Sequence, residues 1–203
     1  METTNNNKLL PQNFLIGIVL SVLYIIDLLY DLFLRCTGEK INFEHHKILF
    51  LLNSILIIGV LLFERKYFKN FSARSAIKWL DSCLVLPLLM CILLIIYHYA
   101  SINKVIIAFT PIILLVVYWY CWIRFGNSIR LIQNDFIGLL KGLGIFNIIA
   151  TLSIPLGVVS IFSHSNIFTI LTCVINIPPL VILIIIYNRA ITYTKKTGTI
   201  NPE

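Results

Sequence analysis

The sequence predicts an all-α, polytopic integral membrane protein, a bundle of six transmembrane helices with both termini in the cytoplasm. Six long apolar stretches run through its 203 residues, of which 59% are hydrophobic and only 12% are charged. A soluble domain is about 45–50% apolar and roughly 25% charged. The apolar residues form runs of about 20, the helix length that crosses about 30 Å of hydrocarbon. We therefore expect residues 1–203 to form a single membrane domain.

The spans are predicted at about 14–34, 48–63, 79–99, 105–123, 136–162 and 167–187. The first run is too long for a signal-peptide core and lacks a small-residue cleavage site, so we interpret it as a retained helix. The third and fourth runs, and the fifth and sixth, are separated by only a few residues, which favours antiparallel neighbours. The fifth is long enough to be tilted or to begin with an interfacial turn. Strands are not expected because the runs lack the alternation of a membrane barrel.

The basic residues predict the orientation of these spans. Cytoplasmic loops of membrane proteins carry an excess of Lys and Arg. With six spans, 12 of the 16 basic residues fall on the side of the two termini, and four fall on the other side. The first group is Lys8, Arg65, Lys66, Lys69, Arg74, Lys78, Arg124, Arg130, Lys141, Arg189, Lys195 and Lys196, and the second is Arg35, Lys40, Lys47 and Lys104. The net charge of +7 is explained by this bias, and no basic run is long enough to predict nucleic-acid binding.

The first span carries two acids, Asp27 and Asp31, one helical turn apart. Residues spaced i, i+4 share a helix face, and Tyr24 and Arg35 extend the same polar stripe. Ionisable groups at membrane depth are costly and usually mark a functional path. We interpret these four residues as a candidate intramembrane cation or proton site. In the alternative, Asp31 bridges to Arg35, Asp27 bonds to a neighbouring helix, and the pair only supports packing.

The same stretch, Ile26-Asp27-Leu28-Leu29-Tyr30-Asp31-Leu32-Phe33, resembles the first helix of XK-related lipid scramblases. Those helices also carry two acids at this spacing before an aromatic residue. The resemblance covers about one helix, and this chain is shorter than members of that family. It implies a lipid-handling function, in which the acids form part of a hydrophilic stripe for headgroups.

Prolines form a second pattern within the apolar runs. The candidate helix-break positions are Pro87, Pro111, Pro155 and the pair Pro178-Pro179, in the third to sixth spans. A proline frees a backbone carbonyl that neighbours or water must satisfy, and broken helices build the ion sites of many transporters. The alternative is that membrane helices tolerate proline without functional consequence.

Other polar residues support weaker interpretations. The amides Asn53, Asn147 and Asn176 are expected to form hydrogen bonds between helices. Gly138 and Gly142 have the small-xxx-small spacing of close helix contacts, which leaves homo- or hetero-oligomerisation open.

An outward-facing metal site is a further hypothesis for the histidines, which are His45, His46, His98 and His164. Imidazole ligands suit zinc or iron, but no H-x-x-H or H-E-x-x-H spacing is present. The sequence contains no nucleophile elbow, phosphate-binding glycine loop or potassium filter, and we expect no cofactor.

Transport is the function that these patterns favour, with a cation, a proton or a small solute as the cargo. The alternatives are an accessory subunit of a larger membrane complex, a scramblase-like lipid-handling protein, and a membrane enzyme with the metal site described above. Membrane lipids are the expected partners, and the physics of the spans does not distinguish one cellular membrane from another.

Overall fold

A computed structural model describes residues 11–37, 43–69, 73–99, 104–132, 137–156, 159 and 166–197. These residues form helices and short turns, and no strand occurs among them, so the predicted all-helical class is confirmed. The six long helices are α1 (Pro11–Thr37), α2 (Phe43–Lys69), α3 (Arg74–Tyr99), α4 (Lys104–Arg130), α5 (Ile137–Ala150) and α6 (Asn166–Thr197).

Most helices extend beyond the apolar runs from which they were predicted. The second helix continues through Glu64 and Arg65 to Lys69, and α4 continues past the predicted span end to Arg130. Each further residue of a helix adds one backbone hydrogen bond, so a helix continues into polar sequence until a turn ends it. Hydropathy detects only the apolar part of such a helix. The polar extension of α2 begins with Glu64, which belongs to the candidate functional site.

The helix in the fifth run ends at Ala150, and a turn at 151–152 separates it from one further helical turn at 153–156. Pro155 has no N–H to donate to the carbonyl of Thr151. That carbonyl instead accepts a hydrogen bond from the Ile154 N–H at 3.2 Å, in the tighter pattern of a 3₁₀ turn. The Thr151 N–H is shared between the carbonyls of Asn147 and Ile148.

The other candidate break positions lie within continuous helices. The third helix runs through Pro87, the fourth through Pro111, and α6 contains both Pro178 and Pro179. The helical assignment is uninterrupted at each of these positions. Whether these helices bend or move there during function stays a prediction.

Among the described residues, three helical stretches are long and apolar enough to cross a membrane, namely Phe14–Thr37, Gly138–Leu156, which includes the turn after α5, and Ile167–Tyr193. The distribution of side chains has the same implication. Large apolar residues of α1 such as Leu15, Ile26 and Phe33 are about half exposed, whereas Ser21 and Asp27 are buried. An apolar exterior around a partly polar interior is expected of a protein that lies in lipid. The described structure therefore supports a membrane protein.

The helices form a closed ring in chain order. Each helix packs against the next, and α6 returns to α1 in the most extensive contact of the ring. Pairings across the contacts show that neighbours are antiparallel: Phe14 of α1 meets Tyr67 of α2, whereas Asp27 meets Asn53. Between α4 and α5, Trp119 contacts Thr151 and Gly126 contacts Gly144. A ring of this kind leaves space along its axis, and its inward-facing side chains determine what that space can hold.

Candidate functional site

The polar stripe predicted on the first span lies on the face of α1 that packs against α2 and α6. Asp27 is 8% exposed, and its Oδ2 accepts a hydrogen bond of 3.1 Å from Nδ2 of Asn53 on α2. Tyr24 is also buried and lines a cavity inside the ring. The stripe therefore faces the interior of the protein, where its carboxyl groups can only be stable with partners.

Asp31 and Arg35 pair one turn farther along α1. Their Oδ1 and Nε atoms are 3.3 Å apart, and both side chains are partly exposed. The Cys173 thiol of α6 lies 3.6 Å from the other Asp31 oxygen. Both acids of the stripe thus have the partners that the packing alternative requires. This arrangement agrees with a role for Asp27 and Asp31 in holding α1 against α2 and α6, and the cation or proton site at these acids stays a prediction.

A cavity of about 170 Å³ lies inside the ring, between α1, α2, α4, α6 and the chain around the end of α5. A water molecule occupies about 30 Å³ of the liquid, so the space corresponds to roughly five or six water-sized groups. Its wall is mainly apolar, with a few polar side chains placed around it. These are Tyr24, Glu64, Tyr118, Trp122, Asn147, Thr151, Ser153 and Asn176. A mostly apolar enclosure with a small number of polar groups is the usual composition of a small-molecule site.

Glu64 is the acidic residue of this wall, and it is 4% exposed. Within the described part of the chain, no hydrogen bond or ion pair reaches its carboxyl group. A buried charge without a partner is strongly destabilising, so such a group requires water, a proton or a bound cation. The position of Glu64 in a cavity, rather than in a close-packed interior, provides the room for one of these.

Two further buried polar groups lack hydrogen bonds among the described residues. They are Nδ2 of Asn147, whose side chain is 5% exposed, and the hydroxyl group of Tyr187, which is fully buried. An unsatisfied buried donor costs about 1–3 kcal/mol, and native proteins contain few of them. Asn147 lies on the cavity wall, so its amide is available to a molecule inside.

A cluster of aromatic rings lies beyond Glu64, toward the end of the ring at which α1 begins. Tyr67 lies one turn beyond Glu64 on α2, and Tyr187 lies one turn beyond the lining residue Leu183 on α6. Their ring centroids are 5.6 Å apart, and Phe14 of α1 contacts both rings at 6.1 and 6.3 Å. Phe63 packs edge-to-face on Tyr187. We call these four residues the aromatic plug, because they fill the ring between Glu64 and the end at which α1 begins.

Thr151 ties the cavity wall to α4. Its hydroxyl group donates to the Ile148 carbonyl at 2.7 Å and accepts from the Trp119 indole N–H at 3.0 Å. In the turn before Pro155, the Thr151 hydroxyl group thus has a partner both as a donor and as an acceptor. Pro179 also lies on the wall, so two of the candidate helix-break prolines are in or next to the cavity.

The next residue after Glu64 has a different environment. Arg65 forms a bidentate ion pair with Asp81 of α3, in which Nη2 lies 3.1 Å from Oδ2. Both side chains are at least one-third exposed, and the hydrogen bond to Asp81 raises the pKa of the Arg65 guanidinium. The charge of Arg65 is therefore neutralised outside the ring and is not directed at Glu64.

The sequence interpretation did not single out Glu64, which directly follows the predicted second span and precedes two basic residues. A signal was present: Ile57, Val60, Leu61 and Glu64 follow helical spacing, and all four line the cavity. An acid that continues an apolar stripe is placed on the inward face even when its sequence neighbours are charged.

The other polar groups predicted from the sequence have different outcomes. Asn53 bonds to Asp27 on another helix, as expected for an interhelical amide, whereas Nδ2 of Asn176 donates to the Thr172 carbonyl of its own helix at 2.8 Å. The metal-site hypothesis falls outside the described side chains, because those of His45, His46, His98 and His164 are not among them. Among the described residues, no group of three potential metal ligands occurs.

No family model, no curated protein and no solved structure matches this chain. The resemblance of α1 to XK-related scramblases remains confined to the residues quoted above. The geometry of the ring and its cavity is thus the basis for any assignment of function.

Proposed function

We propose that this chain is a multi-pass membrane protein that crosses the bilayer six times, with both termini on the cytoplasmic side. We further propose that it is a small transporter or channel-like protein for a cation, a proton or a small solute, with the cavity as its binding site. The observation that carries the proposal is Glu64, a buried carboxyl group on the wall of the cavity, without a described partner.

The position of the cavity supports a path along the axis of the ring. Tyr24 and Asn176 contribute to the wall from near the middle of α1 and of the predicted sixth span. Glu64 lies nearer the end at which α1 begins. In the proposed orientation, that end faces the cytoplasm. The aromatic plug then lies between a solute held at Glu64 and the cytoplasm.

The aromatic plug is the proposed gate. Its rings make edge-to-face contacts, which hold them in place and are each worth about 0.5–1.5 kcal/mol beyond the area that the rings bury. Alternating access requires a barrier on each side of a central site that can open in turn. Movement of α6 at Pro178 and Pro179 is the proposed way to displace Tyr187, since a proline pair weakens the backbone hydrogen bonds of a helix.

Flux measurements in liposomes test this proposal. The protein is reconstituted with dyes that report pH and monovalent cations, and wild type is compared with Glu64→Gln. The amide keeps the shape of the carboxyl group and removes its charge, so we expect at least a tenfold loss of flux. The matched control is Asp81→Asn, which also removes one negative charge but at a partly exposed pair worth about 1 kcal/mol or less.

Flux that is equal in wild type and Glu64→Gln contradicts the role of the carboxyl group. The absence of any flux in correctly inserted wild-type protein contradicts transport of protons and monovalent cations. In that case the accessory-subunit and lipid-handling hypotheses gain support, and a lipid-scrambling assay on the same liposomes distinguishes between them.

A further inference from the structure

We infer that the cavity binds a small organic cation, a monoammonium compound of roughly four to seven non-hydrogen atoms with a hydroxyl group, held between Glu64 and Asn147. This inference rests on the proposed function in that both use the same cavity. It goes further because it names the chemical class of the ligand.

The charge on the wall determines the charge of the ligand. Glu64 is the acidic residue among the described lining residues, and the others are apolar, hydroxyl-bearing, amide or aromatic residues. A carboxyl group buried at this depth is ionised only when a cation is bound beside it, and one carboxylate is then matched by one positive charge. Calcium and magnesium require six or more oxygen ligands or retained water, and zinc prefers His and Cys, neither of which occurs among the described residues of this wall.

The aromatic and aliphatic parts of the wall favour an organic cation over a hydrated metal ion. Tyr24, Tyr118 and Trp122 contribute three aromatic side chains from α1 and α4. The faces of such rings attract alkylammonium groups, and cages of aromatic residues are a known solution for quaternary ammonium ligands. Aliphatic residues such as Val60 and Leu180 cover much of the remaining wall. Burial of a ligand's methyl or methylene groups against such a surface lowers the free energy of binding, whereas a hydrated metal ion has no apolar groups to bury.

The amide of Asn147 explains why the ligand should carry an oxygen atom. Its Nδ2 is buried on α5 and has no hydrogen-bond partner among the described residues. A hydroxyl oxygen on the ligand would accept this hydrogen bond and remove the cost of an unsatisfied donor. Glu64 lies on α2 and Asn147 on α5, so the ligand would be held by helices that are not neighbours in the ring.

The size of the cavity limits the ligand further. About 170 Å³ accommodates a compound of the size of ethanolamine or choline, but is too small to enclose the glycerol and acyl chains of a lipid as well. A free amino alcohol is therefore the class of compound that matches the charge of Glu64, the aromatic and aliphatic wall, and the volume of the cavity.

Binding of choline to the purified full-length protein tests the inference, with 3,3-dimethyl-1-butanol as the matched control. This alcohol has the shape of choline, but carbon replaces the nitrogen and the charge is absent. We expect saturable choline binding by calorimetry in detergent micelles, with at least tenfold weaker binding of the neutral analogue. Equal binding of the two compounds, or no saturable binding of choline or ethanolamine, overturns the inference. This comparison uses wild-type protein alone, so it does not depend on the folding of a variant.

Two variants locate the site. Glu64→Gln should reduce choline affinity at least tenfold, and unchanged affinity overturns the assignment. Asn147→Ala should weaken choline, but change the affinity of tetramethylammonium, which has no hydroxyl group, less than threefold. An equal loss for both cations overturns the role of the Asn147 amide.

The outcomes of binding and of flux are independent. Saturable choline binding without uptake of choline into the liposomes retains the site and contradicts transport of this ligand. Flux of protons or metal cations without choline or ethanolamine binding retains transport and contradicts the ligand class.

Discussion

Replacement of Gly144 by alanine should destabilise the protein, because α4 and α5 touch at this point with almost no space between their backbones. A Cβ atom at Gly144 would lie 2.5 Å from the Gly126 carbonyl oxygen and 2.5 Å from Cγ of Arg130. The Arg130 side chain can move aside, but the carbonyl oxygen belongs to the backbone of α4. The two helices must therefore separate locally. The fit is equally close in the other direction, because a Cβ atom added at Gly126 would lie 2.8 Å from the Gly144 carbonyl oxygen.

The magnitude follows from two opposing terms. Overpacking a well-filled contact costs about 1–3 kcal/mol, and a backbone contact belongs to the upper part of that range. Alanine in place of glycine within a helix returns about 0.5–1 kcal/mol. The expected net loss for Gly144→Ala is about 1–2 kcal/mol of unfolding free energy. The matched control is Gly142→Ala on the same helix, where the nearest atom, Cδ1 of Ile182, would be at an ordinary 3.7 Å.

Equilibrium unfolding by SDS in mixed micelles measures both variants, with tryptophan fluorescence as the signal. Trp119 and Trp122 lie on α4, so the signal reports on the helix that the substitution displaces. We expect Gly142→Ala to be neutral or up to about 1 kcal/mol more stable than wild type. If Gly144→Ala is as stable as Gly142→Ala, the close approach of α4 and α5 is incorrect.

Two other predictions concern the packing of α1 and the orientation of the chain. Asn53→Ala should cost about 1–3 kcal/mol in the same titration, because the buried Asp27 loses its hydrogen-bond donor. Asn53→Ala combined with Asp27→Ala should cost less than the sum of the single substitutions, and strict additivity would show that the pair is not coupled. Reporter domains fused to each terminus in turn should both be found in the cytoplasm, and termini on opposite sides would exclude six spans.

Much of the helical architecture is predictable from the sequence, because long apolar runs form helices wherever their backbone groups have no other partner. The contacts between helices are less predictable. The spacing of Asp27 and Asp31 places both acids on one face, but the partner of each depends on how α2 and α6 dock there. Asn53 and Cys173 are 26 and 142 residues away from the acids that they contact.

The contacts around the cavity are likewise not predictable from the sequence alone. Asn147 and Asn176 are equivalent in sequence terms, as single amides within apolar runs, yet one amide nitrogen bonds within its own helix and the other has no described partner. The difference arises from the turn after α5 and from the side chains of four other helices around the cavity. Hydropathy also assigns Glu64 to the charged end of a span, because an average over neighbours hides the direction in which one side chain points.

The relative flux of Glu64→Gln and Asp27→Asn tests the central claim most directly. The substitution at Asp27 retains an oxygen that can accept the hydrogen bond from Asn53, so packing is preserved while the charge is removed. If the cavity carboxyl group binds the solute and Asp27 serves packing, the flux of Glu64→Gln is at least tenfold lower than that of wild type. The flux of Asp27→Asn then remains above half of the wild-type flux. Loss of flux in Asp27→Asn with normal flux in Glu64→Gln would place the conduction site at the acid pair of α1 and contradict the account.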